Sequence, residues 1–154
     1  MNSSTITQKK KYPAKVSYFM IVLISALYIG PFVINFESID LNAADNSHFF
    51  ILGFFLLSYA ALLSLFFGTS YAIINGEFKV SLAFFLYKSI PIEQIKCVQK
   101  TKSWMSAPAP SFDRIEIQFN ETEHLVISPK DKMSLIYDLQ SVNQDIEIKL
   151  EGLK

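Results

Sequence analysis

The fold of this chain is decided by residues 71–82, whose sequence is YAIINGEFKVSL. Residues 71–74 have the composition of a strand, and Asn75-Gly76 is the dipeptide best suited to a two-residue type I′ turn. Residues 77–82 form the return strand. The stretch predicts a β-hairpin. Because it directly follows a long apolar run, the chain changes here from continuous apolar sequence to β structure.

Short alternating segments continue toward the C-terminus. Residues 83–87 are expected to extend the sheet after a bend, and Pro91 marks a position where a strand must stop. Residues 95–101 resume the sheet. Residues 114–119 alternate strictly between apolar and polar, and a polar turn at 120–123 leads to a strand at 125–127. About six strands are therefore expected.

One amphipathic helix should follow the last strand. Ser128 is expected to cap its N-terminus, with Pro129 at the first helical position and Asp131 reaching back to the cap amide. Asn143 suits the end of the helix. Its apolar stripe consists of Met133, Leu135, Ile136, Leu139 and Val142. Neither a sheet nor such a helix buries its apolar side alone, so the helix should pack across the sheet.

Two long segments without Asp, Glu, Lys, Arg or His precede the strands, at residues 16–36 and 49–67. At a helical rise of about 1.5 Å per residue, each is long enough to cross a hydrocarbon core of roughly 30 Å. The rest of the chain is too small to enclose two such helices. These features predict a transmembrane hairpin over residues 16–67, with an outer loop at 37–48.

Charge predicts the orientation of this hairpin. Four lysines lie in residues 1–15, whereas the connecting loop has three acidic residues and no Lys or Arg. Basic residues beside a span are retained on the cytoplasmic side. Residues 1–15 are expected to form a basic cytoplasmic tail, residues 70–148 a cytoplasmic domain and residues 149–154 a second tail. The protein should lie in the bacterial inner membrane with both termini in the cytoplasm.

Small residues recur at helical spacing along both spans, and Pro31 is expected to kink the first. They are Ala26, Gly30, Ala60, Ser64 and Gly68. Small residues allow two helix backbones to approach closely. They favour packing between the two spans of one chain, and the alternative is the seam of a homo-oligomer.

Composition excludes several classes of protein. Fourteen basic and fourteen acidic residues cancel, which argues against nucleic-acid binding. One cysteine, Cys97, forms no internal disulfide and is expected to be a buried structural thiol, and two histidines are too few for a closed zinc site. No nucleophile and base stand at a recognisable spacing, and His124 is expected to be a solvated turn residue. No enzyme activity, metal or cofactor is predicted, and a membrane enzyme is the least favoured interpretation.

Several short segments together resemble a known family. They are residues 71–74 with their turn, residues 89–92 with Ile95, residues 101–103, Ser111 with residues 113–115, and above all residues 126–131. This pattern is similar to small bacterial membrane proteins that carry a pleckstrin-homology-like (PH-like) domain of the YyaB-like type. The resemblance covers roughly residues 70–148. It implies an α+β domain, a partly open antiparallel barrel capped by the C-terminal helix, on a two-helix transmembrane hairpin, with no catalytic residues. Its structural motif consists of Asp113, Arg114, Ser128, Pro129 and Asp131.

Two features could contact a lipid or a partner. Strand alternation should place Lys96, Val98, Lys100 and Lys102 on one face, opposite Ile95, Cys97 and Thr101, and Lys88 could join the lysines. Such a strip would attract anionic headgroups, and its alternative is an ordinary solvated face. Trp104 and Met105 begin a Pro-containing loop and suit a partner groove, the membrane interface or the core. Asp113 and Arg114 are expected to orient that loop.

The sequence therefore predicts an integral membrane protein whose PH-like module binds a protein partner. Anionic lipid headgroups are the less favoured ligand, because ten basic and eleven acidic residues nearly cancel within residues 70–154. An alternative is an accessory or self-protection subunit that acts through its transmembrane hairpin.

Overall fold

The structure is a computed structural model that describes residues 10–34, 47–101 and 110–150. In these ranges the elements are β1 (Lys10–Pro13), α1 (Tyr18–Ile34), α2 (Ser47–Gly68), β2 (Ser70–Ile74), β3 (Glu77–Leu82), β4 (Phe85–Pro91), a 3₁₀ helix (Ile92–Gln94), β5 (Ile95–Thr101), β6 (Arg114–Phe119), β7 (Glu123–Ile127), α3 (Lys132–Val142) and β8 (Glu147–Lys149). The strands form two four-stranded sheets, in the orders β1-β2-β3-β4 and β7-β6-β5-β8.

The predicted hairpin is confirmed. β2 and β3 pair antiparallel as far as Ile74 opposite Glu77, and Asn75 and Gly76 both have positive φ, at 52° and 76°. That is the backbone of a type I′ turn. Residues 83–87 do not simply extend the sheet after a bend. The chain reverses at Ala83, and β4 returns antiparallel to β3.

β1 is the main departure from the sequence analysis, which placed it in a separate tail. Residues 10–13 pair antiparallel with β2, from Lys10 opposite Ile73 to Pro13 opposite Ser70. Tyr12 is buried in the core. The β-sheet domain therefore begins before the apolar helices. The polar segment that holds β1 has no local pattern that predicts this pairing, because the partners of its one buried aromatic residue, Tyr12, lie far along the chain.

The two helices are inserted between β1 and β2. Ala14 N donates to Thr69 O at 3.2 Å, so the ladder continues to the point where the chain leaves the barrel and returns to it. α1 and α2 contact each other in antiparallel register: Ser25 Oγ lies 2.5 Å from Tyr59 Oη, and Tyr28 stacks on Tyr59.

The structure only partly supports the two expected spans. Phe49–Gly68 is a helical stretch long and apolar enough to cross a membrane, with a mean hydropathy of 2.3 and no residue of its apolar window buried in the fold. The first expected span corresponds to a 17-residue helix, α1, with Pro31 inside it, and its apolar stretch Tyr18–Pro31 is shorter. Residues 35–46, which hold most of the expected loop, lie outside the described ranges.

The small residues do not form the seam between the helices. Ala26 and Ala60 are exposed, and a Cβ added to Gly30 would meet nothing within 4 Å. The seam uses Tyr28 and Tyr59 instead. A Cβ on Gly68 would lie 2.4 Å from Ala83 Cα, so this glycine permits close approach of the β3–β4 turn. Ser64 is half-buried, and its hydroxyl donates to the carbonyl of Ala61 within its own helix.

Both sheets and α3 share one hydrophobic core. Leu135, Ile136 and Leu139 are buried in it, whereas Met133 and Val142 are about half exposed, so the stripe of α3 is narrower than predicted. Asn143 ends the helix as expected, and its amide N–H donates to the Leu139 carbonyl. β8 follows, parallel to β5, and extends the domain one residue beyond its expected end at 148.

The predicted start of α3 is wrong. Asp131 is the N-cap, and its carboxylate accepts a hydrogen bond from Ser134 N at 3.0 Å. Ser128 is fully buried, and Pro129 forms an antiparallel bridge with Ala14. Pairing with the chain before α1 holds residues 128–130 extended, so the helix begins later.

A register shift between Ile95 and Cys97 changes the faces of β5. Bulges place two residues opposite one and rotate the side chains that follow. Ile95 and Val98 therefore both enter the core, whereas Cys97 is buried outside the core cluster. The expected grouping of Ile95 with Cys97 is wrong for this reason.

Candidate functional site

The β-sheet domain has two ends with different surroundings. At the helix-proximal end, Ser17 N donates to Pro110 O at 3.0 Å, and Gly68 adjoins Ala83. The distal end carries the turns farthest from α1 and α2. There Ile92 N donates to Gly76 O at 2.9 Å, and Asn120 N donates to Gln94 O at 3.1 Å.

Asp113 is the centre of an ionic cluster at the helix-proximal end. Its carboxylate binds Lys15 Nζ at 2.8 Å and also the ammonium group of Lys132, whose side chain is only 6% exposed. Burial opposes ionisation of Asp113, but hydrogen bonds from Lys132 and Lys15 outweigh it and hold the carboxyl pKa below its ordinary value. The cluster joins three segments: the entry to α1, the loop before β6 and the start of α3.

Ser128, which is fully buried, links β2 to the chain just before α1. Its amide N–H donates to Tyr71 Oη at 3.0 Å, and its carbonyl accepts a hydrogen bond from Lys15 N at 2.6 Å. Burial raises the pKa of Tyr71 to about 12, so the phenol stays neutral. Ser128 and Pro129 thus have structural roles, in pairing with the chain before α1.

Asp113 and Arg114 both hydrogen-bond to Ser111, just before β6, and the rest of the loop that they were expected to orient lies outside the described residues. Arg114 Nε donates to Ser111 O at 2.6 Å, and Asp113 N donates to Ser111 Oγ at 3.2 Å. His124 lies on β7 and not in the turn, with its Nδ1 3.3 Å from Glu116.

The described lysines of the candidate strip lie in different surroundings. Lys88 binds Glu123 at 2.8 Å and lies over the ring of Phe119. Lys96 is exposed at the bulge near the distal end, whereas Lys100 pairs opposite Ile115 toward the helix-proximal end. Lys102, Trp104 and Met105 lie outside the described residues.

Charge is instead divided between the two ends. The described helix-proximal residues are mostly basic, namely Lys15, Lys100, Arg114, Lys130 and Lys132 against Asp113 and Asp131. The distal turns carry Glu77, Glu93, Glu121, Glu123 and Asp145 beside Lys96, while Lys79 and Lys88 on the neighbouring strands bind Glu77 and Glu123, and Lys10 lines the groove there. The near-neutral sum found in the sequence conceals this polarity, because the residues at each end come from distant parts of the chain.

A groove opens at the distal end between β1, the β2–β3 turn and α3. It encloses about 360 Å³ and is lined by Lys10, Ile73, Asn75, Gly76, Asp138, Ser141 and Val142. Lys10 Nζ binds Asp138 at 2.6 Å on one wall, and Tyr12 Oη also donates to that carboxylate. Sequence reasoning missed the groove because β1 forms one side of it.

Other chemistry finds no support in the described ranges. No three His, Cys, Asp or Glu side chains there are grouped so that they could hold a metal ion. Cys97 is buried as predicted, and burial raises its thiol pKa, which lowers the thiolate fraction that reactive cysteines need.

Comparison with known proteins agrees with this geometry. Residues 69–143 match the family model described as a bacterial PH domain. No curated protein and no solved structure matches the chain.

Residues 69–143 therefore form a PH-like domain with sheets and a C-terminal helix, as the sequence analysis expected. Domains of this class are generally non-catalytic modules that bind proteins or lipids. β1 and β8 lie outside the matched range and complete the two sheets.

Proposed function

We propose that this chain is a membrane-anchored binding module of the YyaB-like type, in which a transmembrane hairpin holds a cytoplasmic PH-like domain against the bacterial inner membrane. The distal end of the domain then binds a protein partner. The observation that carries the proposal is the insertion of both apolar helices between two neighbouring strands.

The insertion favours a hairpin over a single span. β1 and β2 are antiparallel neighbours, so the chain leaves and re-enters the barrel at one place. A single crossing would leave β1 and β2 on opposite sides of the bilayer, although they are paired in one sheet. Two crossings return the chain to the side on which it started. If α2 crosses, α1 is therefore its partner, and its 17 residues span about 26 Å at 1.5 Å per residue.

Charge favours an orientation with the domain in the cytoplasm. The basic helix-proximal end lies where the positive-inside rule places Lys and Arg, beside the ends of the spans. A reporter fused after Lys154 tests this. A reporter that fluoresces only in the cytoplasm should be active, and activity of an extracytoplasmic reporter would reverse the orientation.

The distal groove is the proposed site for a protein partner. Anchoring holds the opposite end against the bilayer, so the groove projects into the cytoplasm. Its lining combines the apolar side chains of Ile73 and Val142 with the charged pair Lys10 and Asp138, which suits a peptide segment. The exposed side chain of Val142 lies at its edge.

Photo-cross-linking in native membranes tests the groove. A photoreactive residue at Val142 should give one discrete protein adduct, whereas one at Glu121, exposed on a distal turn outside the groove, should not. Ser141→Trp, which fills the groove, should abolish the adduct. Equal adducts from both positions would contradict the assignment.

Anionic lipid headgroups are the second candidate ligand, supported by the basic helix-proximal end. Each basic residue near an anionic surface adds about 1 kcal/mol of attraction. Replacing exposed Lys130 with Gln should then reduce the protection of the domain from protease in vesicles that contain anionic lipid, but not in zwitterionic vesicles. Equal protection in both would leave the protein partner as the better proposal.

A further inference from the structure

We propose that the tip of the β3–β4 hairpin, residues 83–87, inserts into the membrane interface beside α2 and forms a third attachment of the domain to the bilayer. The proposal rests on the membrane anchoring proposed above. The exposed side chains of the tip are proposed to contact the lipid molecules of the membrane interface directly.

This tip, formed by the two-residue turn and the start of β4, exposes four consecutive large apolar side chains. Phe84 is 92% exposed, Phe85 75%, Leu86 60% and Tyr87 51%. Successive residues of a strand point to opposite faces, so exposure of all four means that both faces of the tip project beyond the core. A register shift between Val80 and Ser81 bends β3 immediately before it.

The position of the turn indicates what covers it. Ala83 adjoins Gly68 so closely that a Cβ on the glycine would lie 2.4 Å from Ala83 Cα. Gly68 is the last residue of α2, and the preceding Phe67 is 64% exposed. The apolar surface of the membrane helix therefore continues directly into the tip. A contiguous apolar surface of this kind marks an interaction site.

A second loop at the same level supports the assignment. Phe112 is 43% exposed, and its ring centroid lies 6.4 Å from that of Phe19 in the first turn of α1. The domain-side ends of α1 and α2 thus each adjoin an exposed aromatic loop. Aromatic side chains are enriched at the membrane–water interface, where basic groups such as those of the helix-proximal end also lie.

The test measures the depth of the tip with one tryptophan at a time. Trp104 is the only tryptophan of the chain, so Trp104→Phe gives a silent background. In that background Phe85→Trp is the tip probe, Phe54→Trp is the α2 probe, and Val142→Trp, at a half-exposed distal position, is the water probe. Each full-length variant is reconstituted in phosphatidylcholine vesicles and quenched with brominated lipid or with aqueous iodide.

We expect brominated lipid to quench the tip probe at least about twofold more strongly than the water probe, and iodide to quench it correspondingly less, as for other interfacial aromatics. Phe84→Trp, a second tip probe at the adjacent exposed position, should give the same result. If the α2 probe is quenched by lipid but both tip probes behave like the water probe, the inference is wrong while the membrane anchor stands. If iodide reaches all four probes, the anchor and the inference both fail.

Discussion

Gly68 is a residue where α2 and the β3–β4 turn approach each other closely. Gly68→Ala would place a methyl group 2.4 Å from the Ala83 backbone, which cannot yield as a flexible side chain would. We expect a loss of about 1–3 kcal/mol from overpacking, larger than the helix propensity gained. Chemical denaturation in detergent micelles, followed by circular dichroism, measures this loss.

Gly30→Ala is the matched control, because nothing lies within 4 Å of its added Cβ. It should be neutral or stabilising by up to about 1 kcal/mol. A seam of small residues between the helices, as the sequence pattern suggested, would give the opposite order: Gly30→Ala would be the more harmful change.

Asp113 is the residue that keeps the buried ammonium group of Lys132 paired. Asp113→Asn should cost about 2 kcal/mol, less than the loss of a fully buried partner because the Asp113 side chain is 39% exposed. Glu147→Gln, which removes an exposed pair with Lys149, should leave stability unchanged. Equal losses of stability in both variants would show that the Asp113 cluster stabilises the fold no more than an exposed ion pair does.

The Asp113 contribution should depend on pH with a defined sign. Its carboxyl pKa is lowered below 3.8, so its stabilising contribution is fully present above that pH. The contribution is lost as the pH falls through the lower folded-state value. The stability difference between wild type and Asp113→Asn should therefore be constant from pH 7 to pH 5 and disappear in stronger acid. A difference that grew on acidification would contradict the assignment.

Among the elements, β1 makes the sharpest prediction. Tyr12 is buried, and its hydroxyl donates to Asp138 on α3. Tyr12→Phe keeps the ring and should cost about 1 kcal/mol, whereas Tyr12→Ala opens a cavity and should cost about 3 kcal/mol or more. Tyr137→Ala, on the exposed side of α3, is the control and should have little effect. Thermal unfolding of the domain ranks the three variants.

The elements also show how far sequence patterns predict this fold. The β2–β3 hairpin, β5 and β6 were predicted because their signals are local: a turn dipeptide and strict alternation. β1 and β8 were missed because their stability comes from partners distant in sequence, as Pro13 opposite Ser70 illustrates. The same long-range pairing displaced the start of α3 from Ser128 to Asp131, since backbone bonds to Lys15 outcompeted a local cap.

The candidate site was less predictable for a related reason. The register shift between Ile95 and Cys97 changes the faces of β5 between Lys96 and Lys100. The alternation of apolar and polar residues in one sequence does not reveal such a bulge. The distal groove needs β1 against α3, which joins residues more than a hundred positions apart, as in the contact between Lys10 and Asp138. Charge polarity between the two ends likewise arises only when distant segments are brought together.

At the scale of the whole molecule, α1 and α2 are an insertion between two neighbouring strands of one sheet. Ala14 and Thr69 are already hydrogen-bonded neighbours, so an Asn-Gly turn could join β1 directly to β2. A chain with residues 15–68 replaced by Asn-Gly should be soluble and monomeric, with the same β-sheet content. Far-UV circular dichroism measures the β-sheet content, and a cooperative thermal transition shows that the variant is folded.

The matched variant is a fragment of residues 69–154, which lacks the helices and also β1. It leaves the edge of β2 unpaired and removes Tyr12 from the core, so it should unfold at a lower temperature than the Asn-Gly variant, or aggregate through the open edge. Equal stability of the two would mean that β1 is not part of the folding unit, although it is hydrogen-bonded to it. A stable Asn-Gly variant would in turn separate the proposed membrane anchoring from the proposed partner binding. Partner binding at the distal groove should persist in it, because that groove contains no residue of the inserted hairpin.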